Sequence, residues 1–489
     1  MKKKNNDVII EFLGTSKDEV TGSCVLVSYV NSDDERENIL IECGMNQGCP
    51  TILSDYNTNK RMVEKIPFSN IKYIFVNHVH VDHIGNLPTA FNRGFTGEVI
   101  ATEDNRELMI PLLNDTYTIH LKNVKKINEK GKNLDLLFNK TDVHTAIYKT
   151  RTFEKNIIHN LNETLSFRFL PNNHCVGSCQ LELFIKKPSG KVAKIFYSSD
   201  LGSNYNSKQS PFLDDIIYST TSDIAIFEAT YGNKDRNFAK KEVINERKDL
   251  ITQIKKYTSM NHRVLIPSFS FSRSQMLMSF LYDNLKDDKD FGNISVIVDS
   301  KLLNDINGVY SKILKGENKE YWEQVLSWSN FHFVKEFKDT ETIIKKKDIP
   351  MVIISSSGMC NAGHVVSYAK SILLNPNDCM IFVGYCGLNT LGSMIQNNRL
   401  NSVTINREIY EKKCDIISYK TFSSHIQQAE LIDYMKKINT GKILLHHGSI
   451  SSKEELKLTA KEELFKANKT TPIEIVTNKN KEFKIWCMT

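Results

Sequence analysis

Residues 75 to 88 read FVNHVHVDHIGNLP, and this stretch constrains the fold more than any other feature of the chain. Three of the 13 histidines in 489 residues (His78, His80 and His83) fall within six positions, with Asp82 among them. Ahead of them, IKYIFV (71 to 76) is a β-branched and aromatic run of strand length, and HIGNLP behind them reads as a turn into a helix. The cluster therefore belongs at a strand end, where a sheet holds loop side chains firmly enough to bind. Imidazole and carboxylate together suit zinc, manganese or iron. This spacing lets two histidines converge on one ion while Asp82 and His83 turn toward a second. Two ions need more ligands than one motif supplies.

Three later stretches offer them. RFLPNNHCVGSCQLELFI sets His174 in a polar loop between two strand-like runs. KIFYSSDLGS is an apolar run that ends at Asp200 and a glycine turn, and a carboxylate there can give one oxygen to each of two cations. SYKTFSSHIQQAELIDYM sets His425 just before an amphipathic helix, with Leu431, Ile432 and Met435 at helical spacing.

Composition bounds the rest. A chain of 489 residues, 40% hydrophobic and 25% charged, is long enough for two or more domains with real cores. Periodicity alone gives mixed α and β. No run of 18 apolar residues occurs, so no membrane partner is expected. Ten cysteines without any C-x-x-C fit a cytoplasmic protein with free thiols. The formal charge of +7 accompanies a general excess of Lys, Asn and Ile, so by itself it does not argue for a polyanionic partner.

In order and context, His78, His80, Asp82, His83, His174, Asp200 and His425 resemble the metal ligands of the metallo-β-lactamase superfamily. More narrowly, the chain is similar to its β-CASP branch of RNA-processing nucleases, which includes the pre-mRNA 3′-end endonuclease and bacterial and archaeal relatives. Further blocks in family order carry the likeness: ECGMNQG from Glu42, FEATYGN from Phe227, IPSFSFSRSQ from Ile266, SSSGMCNAG from Ser355, GYCGLNTLG from Gly384 and LLHHGS from Leu444. The resemblance implies an α/β, four-layer αββα domain formed by residues 1–232 and 396–489, with an α/β β-CASP cap inserted over 233–395.

It further implies two zinc ions, with manganese as the alternative. His78, His80 and His174 would hold one, Asp82, His83 and His425 the other, and Asp200 would bridge them to activate hydroxide against phosphodiesters of single-stranded RNA. Asp82, Glu228 and His447 are the expected catalytic residues. Glu228 matches an acidic residue that typically holds a catalytic histidine through its second ring nitrogen. Strand alternation in KILLHH points His446 into the core instead. Arg273, Ser356 and Ser357, in the cap blocks, are the expected phosphate contacts, with substrate entering between metal domain and cap.

Two positions depart from the pattern. Met394 stands where the 3′-end endonuclease has a histidine paired with the acidic residue, so the proton donor is expected to be missing or replaced by water, His447 or His364. Glu42 stands where an aspartate usually orients a metal-bound histidine. Two other classes remain open: a non-catalytic scaffold subunit, disfavoured by the filled ligand positions, and a hydrolase of small thioesters or lactams, disfavoured by the cap blocks. Within the nucleases, a DNA-directed member is the alternative, and His425 favours RNA because the DNA-repair members typically carry valine there. The reading leaves room for a homodimer.

Overall fold

The computed structural model describes residues 8–203, 210–233, 237–334, 336–387 and 389–485, which fold into two compact units. The first takes the residues before 204, Leu213–Asn237 and the chain from His425 onward, and the second is chiefly Phe238–Ser424.

The first unit holds two seven-stranded sheets. One runs, edge to edge, Glu482–Ile485, Val8–Phe12, Val25–Val30, Arg36–Ile41, Ile71–Phe75, Glu98–Ala101 and Thr150–Thr152. The other runs Ile473–Ile475, Asn439–His446, Thr221–Glu228, Val192–Tyr197, Cys179–Lys186, Leu165–Pro171 and His159–Asn160. Their alternate residues meet in one apolar cluster: Ile10, Val27, Ile39 and Phe75 from the first sheet, Phe167, Leu181, Ile195 and Ile226 from the second. On the far face of the second sheet, Ala225, Phe227 and Leu445 pack with Leu431, Ile432 and Leu456 of the helices Gln428–Lys437 and Ile450–Lys466. Leu40, Ile74 and Val99, facing away from the first sheet's cluster, are also fully buried. Both faces of both sheets are thus covered, as their near-continuous apolar runs require.

The second unit is a six-stranded sheet, parallel throughout, in the order Phe331–Phe333, Ser295–Asp299, Met351–Ser355, Arg263–Pro267, Cys379–Phe382 and Asp415–Ser418. Its last strand lies past residue 395, where the cap was expected to end: Asp415–Ser418 adds to the edge of this sheet beside Cys379–Phe382, and the compact unit runs to Ser424. The entry point, after Asn237, lies close to the expected one.

Several local expectations hold. IKYIFV forms the strand Ile71–Phe75, and the helix after His425 runs Gln428–Lys437 with Leu431, Ile432 and Met435 buried. His446 ends its strand and points into the core, with ring centroids 5.4 Å from Phe12 and 5.3 Å from Tyr197. The nine described cysteines are all free. Among the described residues, no helix is long and apolar enough to cross a membrane.

Candidate metal centre

Every candidate donor of the first unit follows the carboxyl end of a strand. Glu42 directly follows Arg36–Ile41, and the His78–His83 cluster follows Ile71–Phe75, which pairs with it in parallel. From the second sheet, His174 comes after Leu165–Pro171, Asp200 after Val192–Tyr197 and His447 after Asn439–His446. Glu228 is the last residue of its strand and registers against His446. Two sheets packed face to face therefore bring their strand ends, far apart in sequence, to one place.

There the side chains form two donor groups around Asp200. In the first, ligand atoms of His78, His80, His174 and Asp200 converge within 4.8 Å. His78 Nε2 lies 3.6 Å and His174 Nε2 3.7 Å from Asp200 Oδ2, and His174 Nε2 is 3.2 Å from His80 Nδ1. In the second, Asp82, His83 and His447 converge in the same way. His83 Nε2 is 3.4 Å from Asp200 Oδ2, His447 Nε2 is 3.7 Å from Asp82 Oδ2, and His447 Nδ1 is 3.2 Å from Asp200 Oδ1. Nitrogen and oxygen donors spaced this way suit a shared cation, whose bonds to them run about 2.0–2.2 Å.

The donor set fits cations on its own chemistry. His78 Nε2, His83 Nε2 and His447 Nε2 are buried and lack a hydrogen-bond partner, an arrangement that is costly unless something else engages them. Burial holds His78 and His174 well below the ordinary imidazole value and His80 at about 4, so all three are neutral at physiological pH, the form that ligates. Against the pull of burial, His447, His83 and His425 hold the Asp200 carboxyl well below its usual range, and it is ionised.

Glu42 orients the histidines from behind. Its Oε2 accepts from His83 Nδ1 at 2.6 Å and from Tyr197 Oη at 2.6 Å, and its Oε1 accepts from Ser199 Oγ at 2.6 Å. Ser199 Oγ in turn lies 3.0 Å from His78 Nδ1. One buried carboxylate thereby fixes two rings with their Nε2 atoms turned to the centre. The glutamate expected as a departure does the work of the shorter residue. Tyr197 and Ser199 were not foreseen, although the YSSD run ahead of Asp200 carries both.

The two late histidines sit differently from the expectation. His425, expected with Asp82 and His83, converges with Asp200 and Glu228. Its Nδ1 sits 3.2 and 3.3 Å from the two oxygens of Glu228, and its Nε2 is 3.9 Å from Asp200 Oδ2. Burial opposes a charge on it, but Glu228 and Asp200 prevail and raise it to about 9. His447, expected near the phosphate, takes the place beside Asp82 and His83, its Nδ1 3.2 Å from Thr230 Oγ1. Met394, expected to mark a missing acid, packs against the second unit's apolar cluster, and the histidine beside Glu228 is His425.

The remaining candidates belong to the second unit, at the carboxyl end of its parallel strands. Arg273 opens the helix Arg273–Leu285 and donates from Nη1 to the Val383 carbonyl. Ser356 Oγ donates to Ser300 Oγ at 2.6 Å, and Ser357 Oγ reaches the Ala362 carbonyl at 3.5 Å. His364 is held by Asp299, Nδ1 to Oδ1 2.6 Å.

Three family models match the chain in succession: Anti-Pycsar protein Apyc1 over residues 10–223, Beta-Casp domain over 274–395 and Zn-dependent metallo-hydrolase RNA specificity domain over 409–472. The paired sheets and the histidine and carboxylate donors define a metallo-hydrolase of the metallo-β-lactamase type. The Beta-Casp and RNA specificity matches, with the relatives below, support a nuclease of the β-CASP branch of that superfamily. Among its relatives, ribonuclease TTHA0252 of Thermus thermophilus is 26% identical over 90% of this chain and 92% of its own. Transcription termination factor FttA of Methanocaldococcus jannaschii is 25% identical over 90% of this chain and 67% of its own. Cleavage and polyadenylation specificity factor 73 of Drosophila melanogaster is 23% identical over 98% and 65%. This chain thus spans about two thirds of the latter two. A crystal structure of a protein of unknown function from Enterococcus faecalis V583 shares the fold, with a TM-score of 0.51 and 10% identity over 98% of this chain and all of that one.

Proposed function

We propose that the protein is a ribonuclease that hydrolyses phosphodiester bonds of single-stranded RNA with two divalent cations, zinc in the first instance and manganese as the alternative. The observation that carries this is the pair of donor groups sharing Asp200, with His425 held beside them by Glu228. His78, His80 and His174 would hold one cation, Asp82, His83 and His447 the other, with Asp200 reaching both. Bound there, the cations would supply a water acidic enough to attack at neutral pH and would offset charge on the phosphoryl oxygens.

The chain's own residues do the rest. Glu42 keeps the Nε2 atoms of His78 and His83 directed inward. Glu228 keeps His425 protonated and fixes its ring, so the Nε2 proton can pass to the departing oxygen as the phosphorus–oxygen bond breaks. Arg273 would contact backbone phosphates, a charge-assisted interaction, with Ser356 and Ser357 as neutral partners. The filled donor set disfavours a non-catalytic scaffold. The RNA-acting names among the relatives favour RNA over DNA.

The test is metal analysis and cleavage of linear and circular single-stranded RNA by wild type and Asp200→Ala, with single-stranded DNA as comparison. Two ions per wild-type chain and RNA cleavage lost in a folded Asp200→Ala protein are expected. One ion or none after zinc loading, or equal cleavage by both proteins, would sink the reading. Opening of the circle would define an endonuclease.

A further inference from the structure

The second donor group draws on two loops far apart in sequence, around Asp82 and around His447, and a third segment ties them together. Residues 14–23 close on themselves: Leu13 N donates to Cys24 O at 3.0 Å, Thr15 Oγ1 to Thr21 O at 2.7 Å. From this loop Ser23 N reaches Asp82 O at 2.8 Å, and the Ser16 carbonyl takes His447 N at 2.8 Å. Gly448 N reaches Glu19 O at 2.9 Å. The loop is thus a strap from one ligand backbone to the other. His447 needs such a hold, because its φ of +50° is a left-handed conformation that a β-substituted residue does not keep unaided.

Lys453 anchors the strap. It lies in the first turns of the helix Ile450–Lys466 and is wholly buried. Its Nζ donates to the Lys17 carbonyl, inside the strap, and to the Val476 carbonyl at 2.9 Å. Removing an ammonium from water is expensive, and carbonyl partners offset that less fully than a carboxylate would. Burial pushes Lys453 down to about 8; the Asp18 charge offsets part of that, and the Lys17 charge adds to it. An apolar side chain of similar length would fill this position more cheaply, so the lysine is poorly explained as a stabilising residue.

We infer that Lys453 is a positioning residue for the second cation, acting by fixing the strap that sets His447 against Asp82. This rests on the reading of Asp82, His83 and His447 as that cation's donors. The first donor group is linked to the strap only indirectly, by Ser23 Oγ through Tyr197 and Glu42 to His78, so it serves as the comparison site.

The experiment is calorimetric titration of zinc into the full-length, chelator-stripped protein, wild type against Lys453→Met and Lys453→Gln, with melting midpoints measured in parallel. For Lys453→Met, zinc affinity at the second site should fall about tenfold to a hundredfold, the usual effect of losing a residue that orients a ligand. The first site should lose much less, and the midpoint should change little, because removing the buried charge offsets the loss of the donor to the Lys17 and Val476 carbonyls. Lys453→Gln, which keeps one donor, should fall between. A folded Lys453→Met protein that binds both ions like wild type overturns the inference. So does a Lys453→Met protein that fails to fold while Lys453→Gln binds both ions normally, because Lys453 would then be structural only. RNA cleavage does not enter this readout: two ions in wild type without cleavage would defeat the proposed function and leave this inference standing.

Discussion

His425 and His447 carry the same side chain within one centre and sit differently in it. His425 Nδ1 faces both oxygens of Glu228, whereas His447 Nδ1 faces Thr230 Oγ1 and Asp200 Oδ1 and its Nε2 turns toward Asp82 on a backbone-strapped loop. His447→Ala should bind one zinc per chain by metal analysis. His425→Ala should bind two and lose on the order of 10²- to 10⁴-fold in single-turnover rate, the usual contribution of a general acid. The pH dependence follows from the raised value of about 9. Below it His425 keeps its proton, so the wild-type rate should fall as pH rises through about 9, and that descending limb should vanish in His425→Ala. Met394→His should leave the single-turnover rate within about twofold, because Glu228 is already engaged; a clear acceleration would reopen the case for a missing acid there. Residue type and order made the donors legible in the sequence. The division of labour between the two late histidines was not, since it depends on which of them Glu228 meets in space.

At the scale of elements, the centre is a property of strand ends. The runs IKYIFV and KIFYSS announced their strands, and the ligands follow each at a short distance. What local sequence could not give is the parallel pairing of Thr221–Glu228 with Asn439–His446, across an insertion, which sets Glu228 opposite His446. Nor could it show how closely backbones approach behind the metal ligands. A Cβ at Gly44 would lie 1.7 Å from the Asp82 carbonyl oxygen, so the chain after Glu42 runs in contact with the ligand loop. Gly44→Ala must push that loop away. It should lower stability by about 1–3 kcal/mol, the range for overpacking, and weaken zinc binding at the second site in the same protein. Denaturant unfolding and zinc titration check this together; a stable variant with unaltered zinc affinity would contradict it.

At the scale of the molecule, the second unit has its own buried framework. Arg263, wholly enclosed, donates from Nε to Asp378 Oδ2 at 3.0 Å while its backbone N–H takes Asp378 Oδ1 at 2.9 Å. Arg263→Met would strip the buried carboxylate of its guanidinium partner and leave it the backbone N–H, a loss of about 3–5 kcal/mol. Urea unfolding should show it as an early transition, and zinc stoichiometry measured before that transition should still be two, because all the donors belong to the first unit. The sequence indicated an insertion and its entry, but not its close, because the edge strand Asp415–Ser418 lies past the recognisable cap blocks.

That insertion also orders events during synthesis. The first strand, Val8–Phe12, pairs early with Val25–Val30 but gains its other neighbour, Glu482–Ile485, only after the inserted unit, and Thr221–Glu228, beside Val192–Tyr197, likewise gains Asn439–His446 after it. A ribosome-bound chain that has completed the parallel sheet of the second unit still lacks His425 and His447. The growing polypeptide can therefore carry its first three histidines past the messenger that encodes it with neither the second donor group nor the held proton assembled.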